Sequence, residues 1–201
     1  MHLDTDLILA SRSPRRQRLL ATLGIPFEVR VADIPEVRLP DESPEKMVCR
    51  LAVEKATAVA RNEESALFLG ADTAVVLGEE LFGKPADDIE ARDMLQRLSG
   101  RTHVVLTGIA LVHTRTARVR TAVEATEVIF DDLSSREIES YVATGSTMDK
   151  AGGYGIQDDR GALFVSGIRG DFYNVMGLPL RRLYRLLRTE FGDLIESEEA
   201  T

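Results

Sequence analysis

The chain has 201 residues, 44% of them hydrophobic and 29% charged, which is the composition of a globular protein large enough to bury a core. Its formal net charge of −8 argues against broad nucleic-acid binding, and no stretch approaches the roughly 18 apolar residues that a membrane span needs. The single cysteine, Cys49, excludes an internal disulfide and a cysteine-rich zinc site, so we expect a cytoplasmic protein.

The N-terminal part is predicted to begin with a strand at residues 6–10, followed by a helix. Ser13 is a favourable N-cap and Pro14 suits the first helical position. The pair Ser43-Pro44 repeats this signal, and a second helix is expected to run to about Arg61.

Lys55 falls near the centre of the apolar stripe of this second helix. A solvated lysine is not expected at that position. Either its stem packs while its amine reaches water, or the amine points at an anion in a cleft.

Residues 68–77 are apolar nearly throughout and predict a buried strand, with Asp72 in its middle. A carboxylate there is costly unless a cation, a metal or several donors meet it. The alternative is a capped turn, in which Gly70 breaks the strand and Asp72 accepts hydrogen bonds from local N–H groups.

The rest of the chain shows further elements, each bounded by turn or capping signals. They are a hairpin turn at 78–80, a helix at 88–98, strands at 103–113 and 119–130, a helix from the Ser134/Glu137 capping box to 143, a glycine-rich segment at 149–157, and strands at 163–165 and 172–176.

Pro179 is predicted to start a final helix, and the acidic tail, about 193–201, is predicted to be loose. Strands and helices are mixed, with crossover and hairpin connections and no linker, so we expect one α/β domain over 1–201 with a mixed twisted sheet and flanking helices. The inward face of the final helix is predicted to carry Leu180, Leu183, Tyr184, Leu187 and Phe191.

Four arginines lie within residues 12–18, at the predicted turn between the first strand and the first helix. A helix N-terminus offers free N–H groups to a phosphate, and arginines add bidentate donors. Not all four can face one ligand, so Arg12 and Arg15 are assigned to phosphate, and Arg16 and Arg18 to the surface. The glycines and the lysine of a P-loop are absent here.

Two further lysines, Lys84 and Lys150, lie beside turn residues. Glu36 and Asp72 come from separate segments, and two carboxylates with phosphate oxygens make a reasonable magnesium site. The three histidines lack metal-type spacing, and no Ser/His/Asp nucleophile elbow is visible.

In this order and spacing, the motifs closely resemble those of the Maf family of nucleoside triphosphate pyrophosphatases, over most of the chain. The motifs are Leu9-Ala10-Ser11-x-Ser13-Pro14-Arg15-Arg16, Leu51-Ala52-x-Glu54-Lys55-Ala56, Gly70-Ala71-Asp72-Thr73, Gly83-Lys84-Pro85, Leu98-Ser99-Gly100-x-x-His103, Asp149-Lys150-Ala151-Gly152-x-Tyr154-Gly155-Ile156-Gln157 and Asn174-Val175-x-Gly177-Leu178-Pro179.

The resemblance implies a Maf/ITPase-like fold and hydrolysis between the α- and β-phosphates, with Asp72 as proton acceptor for the attacking water. Arg15, Thr73 and Gln157 match the family members that act on dTTP and UTP. A divalent metal, Mg²⁺ or Mn²⁺, is expected at Glu36 and Asp72. The residues expected to bind phosphate are Ser11, Arg12, Ser13, Arg15, Lys55, Lys84 and Lys150.

The sequence departs from the family pattern at Pro35, where an acidic residue is common; Glu36 itself is kept. Two alternatives stay open. The substrate is 7-methyl-GTP or a deaminated purine triphosphate, or the protein acts in septum formation by protein interaction. The resemblance also suggests a homodimer.

Overall fold

The computed structural model describes residues 1–31, 33–61, 65–157 and 160–196. In this part of the chain, every helix is too short or too polar to cross a membrane. The strands are β1 (Asp6–Leu9), β2 (Glu28–Val29), β3 (Ala66–Leu77), β4 (Glu80–Phe82), β5 (Thr102–His113), β6 (Arg118–Phe130) and β7 (Val165–Arg169). The α-helices are α1 (Pro14–Ala21), α2 (Pro44–Val59), α3 (Asp88–Leu98), α4 (Ser135–Val142), α5 (Phe172–Val175) and α6 (Leu180–Glu190).

These strands form a mixed sheet in the order β2-β1-β3-β5-β6-β7, with β4 paired to β3. Strand β1 pairs in parallel with β2 and β3, whereas the β3–β4 and β6–β7 pairs are antiparallel. The predicted α/β class with a mixed sheet and flanking helices is therefore confirmed.

Residue contacts divide the chain into two compact units. The first contains Met1–Asp72, Thr107–Glu124 and the residues from Gly177 on; the second contains Thr73–Leu106 and Ala125–Met176. Strands β3, β5 and β6 have residues in both. A single domain over 1–201 stays a prediction.

In the first unit, α2 packs closely on β3 at Gly70. A Cβ atom at Gly70 would lie 1.9 Å from the carbonyl oxygen of Ala52, so only glycine allows this approach of helix to strand. The strand runs through Gly70 without a break, so the alternative of a capped turn is wrong. An apolar cluster of Ile8, Ala56, Ala66, Phe68 and Val112 forms part of the core of this unit.

In the second unit, α3 and α4 pack against one another over an apolar core that includes Phe82, Leu95 and Phe130. Helix α3 has the predicted bounds. Helix α4 begins with the predicted capping box, in which Ser134 and Glu137 bond one another's backbone N–H groups.

Two predicted strands are wrong. Residues 161–164 form a 3-10 helix, and the strand begins only at Val165. It lies at the sheet edge, and only Val165 and Ile168 of its five residues are apolar, so no run of apolar residues marks it in the sequence. Residues 172–175 form α5, because the Asp171 carboxylate accepts hydrogen bonds from the N–H groups of Tyr173 and Asn174 and so caps a helix.

The final helix α6 has its predicted position, but Tyr184 is 39% exposed rather than buried. Helix α2 ends at Val59, slightly before the predicted Arg61. The start of the predicted loose tail is anchored: Leu194 is buried and its carbonyl accepts a hydrogen bond from Asp4 N–H at 2.8 Å. The rest of that prediction, residues 197–201, lies outside the described residues.

Candidate functional site

Glu36, Lys55 and Asp72 meet in the first unit and form what we call the lysine cluster. The Lys55 ammonium lies 2.5 Å from Asp72 Oδ1 and 2.7 Å from Glu36 Oε1. The side chains of Lys55 and Asp72 are 11% and 8% exposed, whereas Glu36 is 40% exposed. A buried lysine thus contacts one buried and one accessible carboxylate.

The local sequence explains this arrangement. Lys55 lies on the buried face of α2, between Ala52 and Ala56, as the predicted apolar stripe requires. Asp72 follows Gly70 on β3 by two residues, so both lie on the same side of the strand, and Gly70 is where α2 approaches most closely. Because buried charges need partners, Lys55 and Asp72 stabilise one another.

The predicted phosphate turn is ordered by its serines. Ser11 is buried, and its Oγ accepts hydrogen bonds from Ser13 N–H at 3.2 Å and Arg16 Nη1 at 3.5 Å. Ser13 caps α1 by accepting from Arg16 N–H. The two serines therefore fix the turn that leads into the helix N-terminus.

The assignment of Arg16 to the surface is wrong. Arg16 is half-buried, and its Nε donates to the Gly177 carbonyl at 2.8 Å. Burial lowers the pKa of Arg16, while the charges of Asp72 and Glu36 raise it, so the guanidinium interacts electrostatically with the lysine cluster. Helical spacing could have predicted that Arg16 is partly buried, since it precedes the buried Leu19 and Leu20 by three and four residues and so lies on the same face of α1.

The other three arginines of this region differ in exposure. Arg15 is half-buried and Arg18 is exposed, the latter as predicted. Arg12 is 71% exposed and lies 3.2 Å from Asp33, which is itself 98% exposed. An ion pair in such a position contributes little stability, so Arg12 is held only loosely where it lies.

In the second unit, a hydrogen bond of 2.9 Å from Gly152 N–H to the Gly83 carbonyl joins the segments that carry Lys84 and Lys150. Lys84 is exposed. Lys150 is buried, and its ammonium donates to the Ser146 carbonyl and to Asp149 Oδ1. A phosphate that approached Lys150 would therefore compete with these two partners for the ammonium.

The two remaining predicted residues, Thr73 and Gln157, are half-buried. Thr73 follows Asp72 directly on β3, and successive side chains of a strand point to opposite faces. Gln157 ends the glycine-rich loop, residues 149–157, in which Gly152 and Gly153 adopt φ values of +71° and +72°. Side-chain-bearing residues rarely adopt this conformation, which explains the glycines.

Comparison with known proteins gives the family. The model of the Maf-like protein family matches residues 6–190. The chain belongs to the Maf family. The resemblance predicted from the motifs is confirmed.

Three curated relatives named dTTP/UTP pyrophosphatase align with this Maf chain over nearly its full length. The protein from Salinibacter ruber is 50% identical, covering 100% of this chain and 98% of the relative. The one from Symbiobacterium thermophilum is 53% identical, covering 93% and 94%. The one from Bacillus cereus (strain AH820) is 47% identical, covering 90% and 94%.

Among solved structures, a HAM1 protein from Coxiella burnetii is similar to this chain with a TM-score of 0.43 and 20% sequence identity, covering 63% of this chain and 73% of that one.

The donor set of the lysine cluster fits a hard divalent cation. Across the described residues, no group of three or more His, Cys, Asp or Glu side chains has metal-binding geometry. Two carboxylates alone do not complete a coordination shell. Mg²⁺ is commonly bound by one or two carboxylates together with substrate phosphates and water, so this Maf chain carries a donor set that suits it.

Proposed function

We infer that this Maf chain hydrolyses dTTP and UTP to the nucleoside monophosphate and pyrophosphate. The observation that carries the inference is the lysine cluster, in which the buried Asp72 lies beside a buried cation. The names of relatives at 47–53% identity supply the substrates. Their alignment with nearly the whole chain supports the transfer of that activity.

Asp72 is proposed as the proton acceptor for the attacking water. Its Oδ1 contacts Lys55, so Oδ2 is the atom assigned to receive the proton. The water attacks the α-phosphorus, the bond to the bridging oxygen breaks, and pyrophosphate leaves. A carboxylate is a weak base for bulk water, so the water needs activation.

Glu36 and Asp72 are proposed to hold a divalent ion, Mg²⁺ or Mn²⁺. Such an ion lowers the pKa of bound water and neutralises phosphate charge. Lys55 contacts both carboxylates and is the residue that must give way, in whole or in part, when another cation binds them. Its flexible stem allows the ammonium to move to a phosphate oxygen.

The remaining cations are proposed to neutralise the triphosphate. Opposite charges about 4 Å apart gain about 4 kcal/mol at an effective dielectric of 20, so a few local cations offset the acidic background. The Ser11–Ser13 turn offers N–H groups at the start of α1. The set comprises Ser11, Arg12, Ser13, Arg15, Lys55, Lys84 and Lys150, with Arg16 added from the structure.

Arg15, Thr73 and Gln157 are proposed to select the pyrimidine base. Gln157 carries both a donor and an acceptor in its amide, as does the imide edge of thymine and uracil. A purine such as 7-methylguanine also carries an N–H donor beside a carbonyl acceptor, so the amide alone does not separate the two classes of base, but its fused rings are larger. The names of the relatives therefore favour dTTP and UTP over the alternative of a modified purine triphosphate.

The test combines a substrate panel with one substitution. The full chain is assayed for pyrophosphate release from dTTP, UTP, 7-methyl-GTP and dITP, with Mg²⁺ and with Mn²⁺. Asp72→Asn should lower turnover by about 10²- to 10⁴-fold, the usual contribution of a general base, while nucleotide binding persists.

Asp93→Asn is the matched control, because Asp93 pairs with Arg97 on the surface of α3 and has no role in the proposed chemistry. Unchanged turnover in Asp72→Asn would remove Asp72 from the mechanism. Preference for a purine triphosphate in the native protein would overturn the substrate assignment.

The cytoplasmic location, the homodimer and a role in septation stay predictions. A reduced single cysteine and a nucleotide substrate suit the cytoplasm. Light scattering of the purified protein measures the oligomeric state. Septation that is blocked equally by native protein and by Asp72→Asn would favour protein interaction over hydrolysis.

A further inference from the structure

His103 is a buried polar ring that the proposed chemistry does not use. It is 1% exposed, and its Nε2 shares a hydrogen bond of 2.7 Å with the hydroxyl of Tyr154. Phe130 lies edge-on to His103 at 4.9 Å and to Tyr154 at 4.7 Å between ring centroids. Three rings in the second unit thus pack mutually, with one hydrogen bond among them.

Burial lowers the pKa of His103 to about 4, and it raises the pKa of Tyr154. Both groups are therefore neutral at pH 7, and their bond joins neutral partners. Within the described residues, His103 Nδ1 has no hydrogen-bond partner. A buried nitrogen without a partner is destabilising, and a phenylalanine would fill the same space without that cost. The hydrogen bond to Tyr154 is therefore the one contribution that the imidazole makes and a phenyl ring could not.

Tyr154 lies in the glycine-rich loop, which two further contacts attach to the second unit. Gly152 N–H donates to the Gly83 carbonyl at 2.9 Å, and Gly155 N–H donates to the Tyr141 hydroxyl at 3.1 Å. The Tyr154 contact with His103 lies between these two in sequence. The loop backbone is therefore fixed at consecutive points up to Gly155, shortly before Gln157.

We propose that His103 is a positioning residue for nucleobase selection, acting through Tyr154 to hold the glycine-rich loop in the conformation that places Gln157 for the pyrimidine. This rests on the proposed function, in which Gln157 contacts the base. His103 itself touches neither the base nor the reacting atoms. Its loss should weaken pyrimidine binding and selectivity more than turnover.

The test uses two substitutions of His103 in the full-length protein. His103→Phe keeps the ring and removes both nitrogens, whereas His103→Gln keeps an amide able to bond Tyr154. His103→Phe should raise KM for dTTP and UTP by about 3- to 10-fold, the usual effect of one hydrogen bond, with kcat changed less than about 2-fold. The preference for dTTP over 7-methyl-GTP should fall in parallel, and His103→Gln should recover part of both.

Tyr154→Phe removes the other partner and should raise KM as His103→Phe does, but it should lower stability more, because it leaves both imidazole nitrogens buried without that bond. The double variant should be no worse than either single variant, because both remove the same bond. His113→Phe is the matched control: His113 is a buried histidine at the other end of β5, and its Nδ1 bonds Thr116 Oγ1 at 2.8 Å. It should lower stability without changing KM.

Hydrogen–deuterium exchange separates this proposal from the proposed function. Peptides covering residues 150–157 should exchange faster in His103→Phe than in native protein or His113→Phe, whatever the substrate. Unchanged exchange and an unchanged KM would overturn the positioning role. If residues 150–157 exchange faster in His103→Phe but the native protein hydrolyses neither dTTP nor UTP, the contact that holds the loop is supported and the role in base selection is rejected.

Discussion

Arg50 and Lys55 lie on the same helix, α2, and each contacts two carboxylates among the described residues. Arg50 contacts Glu42 and Glu54, and we call this group the arginine cluster. Lys55 contacts Glu36 and Asp72 in the lysine cluster. The two clusters therefore contain the same formal charges, but their contacts differ in range and in direction.

The arginine cluster is local and directional. Arg50 binds Glu42 with two nitrogens, at 2.7 and 2.8 Å, and also donates to Glu54 at 2.9 Å and to the Val37 carbonyl at 2.9 Å. A planar guanidinium with its donors in a fixed fork suits such bidentate contacts. The cluster ties the segment that follows Glu36 to the helix.

The lysine cluster is long-range and contains one compact charge. Lys55 joins a loop residue, Glu36, to a strand residue, Asp72. Asp72 lies 17 positions after Lys55 in the sequence. An ammonium is a point charge with rotatable donors, so another cation can replace it without a matching fork. Equal formal charge therefore does not give equal function: a fixed fork holds structure, whereas a single charge between oxygens can be exchanged.

The largest expected effect comes from removing the lysine. Lys55→Met leaves Asp72 buried without its cation, so the free energy of unfolding should fall by about 3–5 kcal/mol, as for a broken buried ion pair. If a divalent ion can take the place of the ammonium, Mg²⁺ should restore part of that loss. Urea unfolding in EDTA and in Mg²⁺ measures both quantities.

Native protein serves as the reference for the magnesium effect in Lys55→Met. Its own stabilisation by Mg²⁺ without nucleotide should be smaller, because Lys55 already occupies the carboxylates. Equal stabilisation of both proteins would contradict the idea that the ammonium and the ion compete for Glu36 and Asp72.

A smaller effect is expected from removing the arginine. Arg50→Met should lower the free energy of unfolding by about 1–2 kcal/mol, because the Glu42 side chain is only 9% exposed whereas Glu54 is 42% exposed and keeps its hydration. Arg50→Lys should recover part of this loss at most, since an ammonium cannot form the bidentate contact with Glu42. A loss as large as that of Lys55→Met would erase the distinction between the clusters.

Sequence patterns predicted the local features of these clusters but not their long-range contacts. The position of Lys55 in an apolar stripe and of Asp72 in an apolar strand indicated two buried charges in need of partners. Capping residues such as Ser13, Ser43 and Ser134 gave the helix starts, because a cap is a contact within four residues. Local chemistry of this kind can be seen in a sequence.

Long-range contacts could not be predicted in this way. That Glu36 joins Lys55, and that Arg16 donates to Gly177, depends on how distant segments pack. The polar edge strand β7 and the short helix α5 were missed for a related reason. In both, neighbouring structure or a single cap outweighs the apolar content of the segment itself.

The smallest effect concerns pH and isolates one contact of the arginine cluster. The hydrogen bonds from Arg50 lower the pKa of Glu42 from its ordinary 4.5 to about 2. A lowered carboxyl pKa stabilises the fold above pH 4.5, and this contribution is lost as the pH falls from 4.5 towards 2. Glu42→Gln should therefore lose less stability than native protein over that interval, as measured by urea unfolding at successive pH values.

Arg50→Met is the informative partner for this pH measurement, because it removes the cause of the shift while leaving the Glu42 carboxyl in place. Like Glu42→Gln, it should reduce the loss of stability as the pH falls from 4.5 towards 2. The double variant should reduce that loss no further than either single variant. If Arg50→Met keeps the native pH dependence, Glu42 owes its low pKa to the N–H of Leu39 at 3.2 Å and to the charge of Arg38. The arginine cluster would then hold its loop through the Val37 carbonyl, and the contrast with Lys55 would rest on geometry rather than on charge.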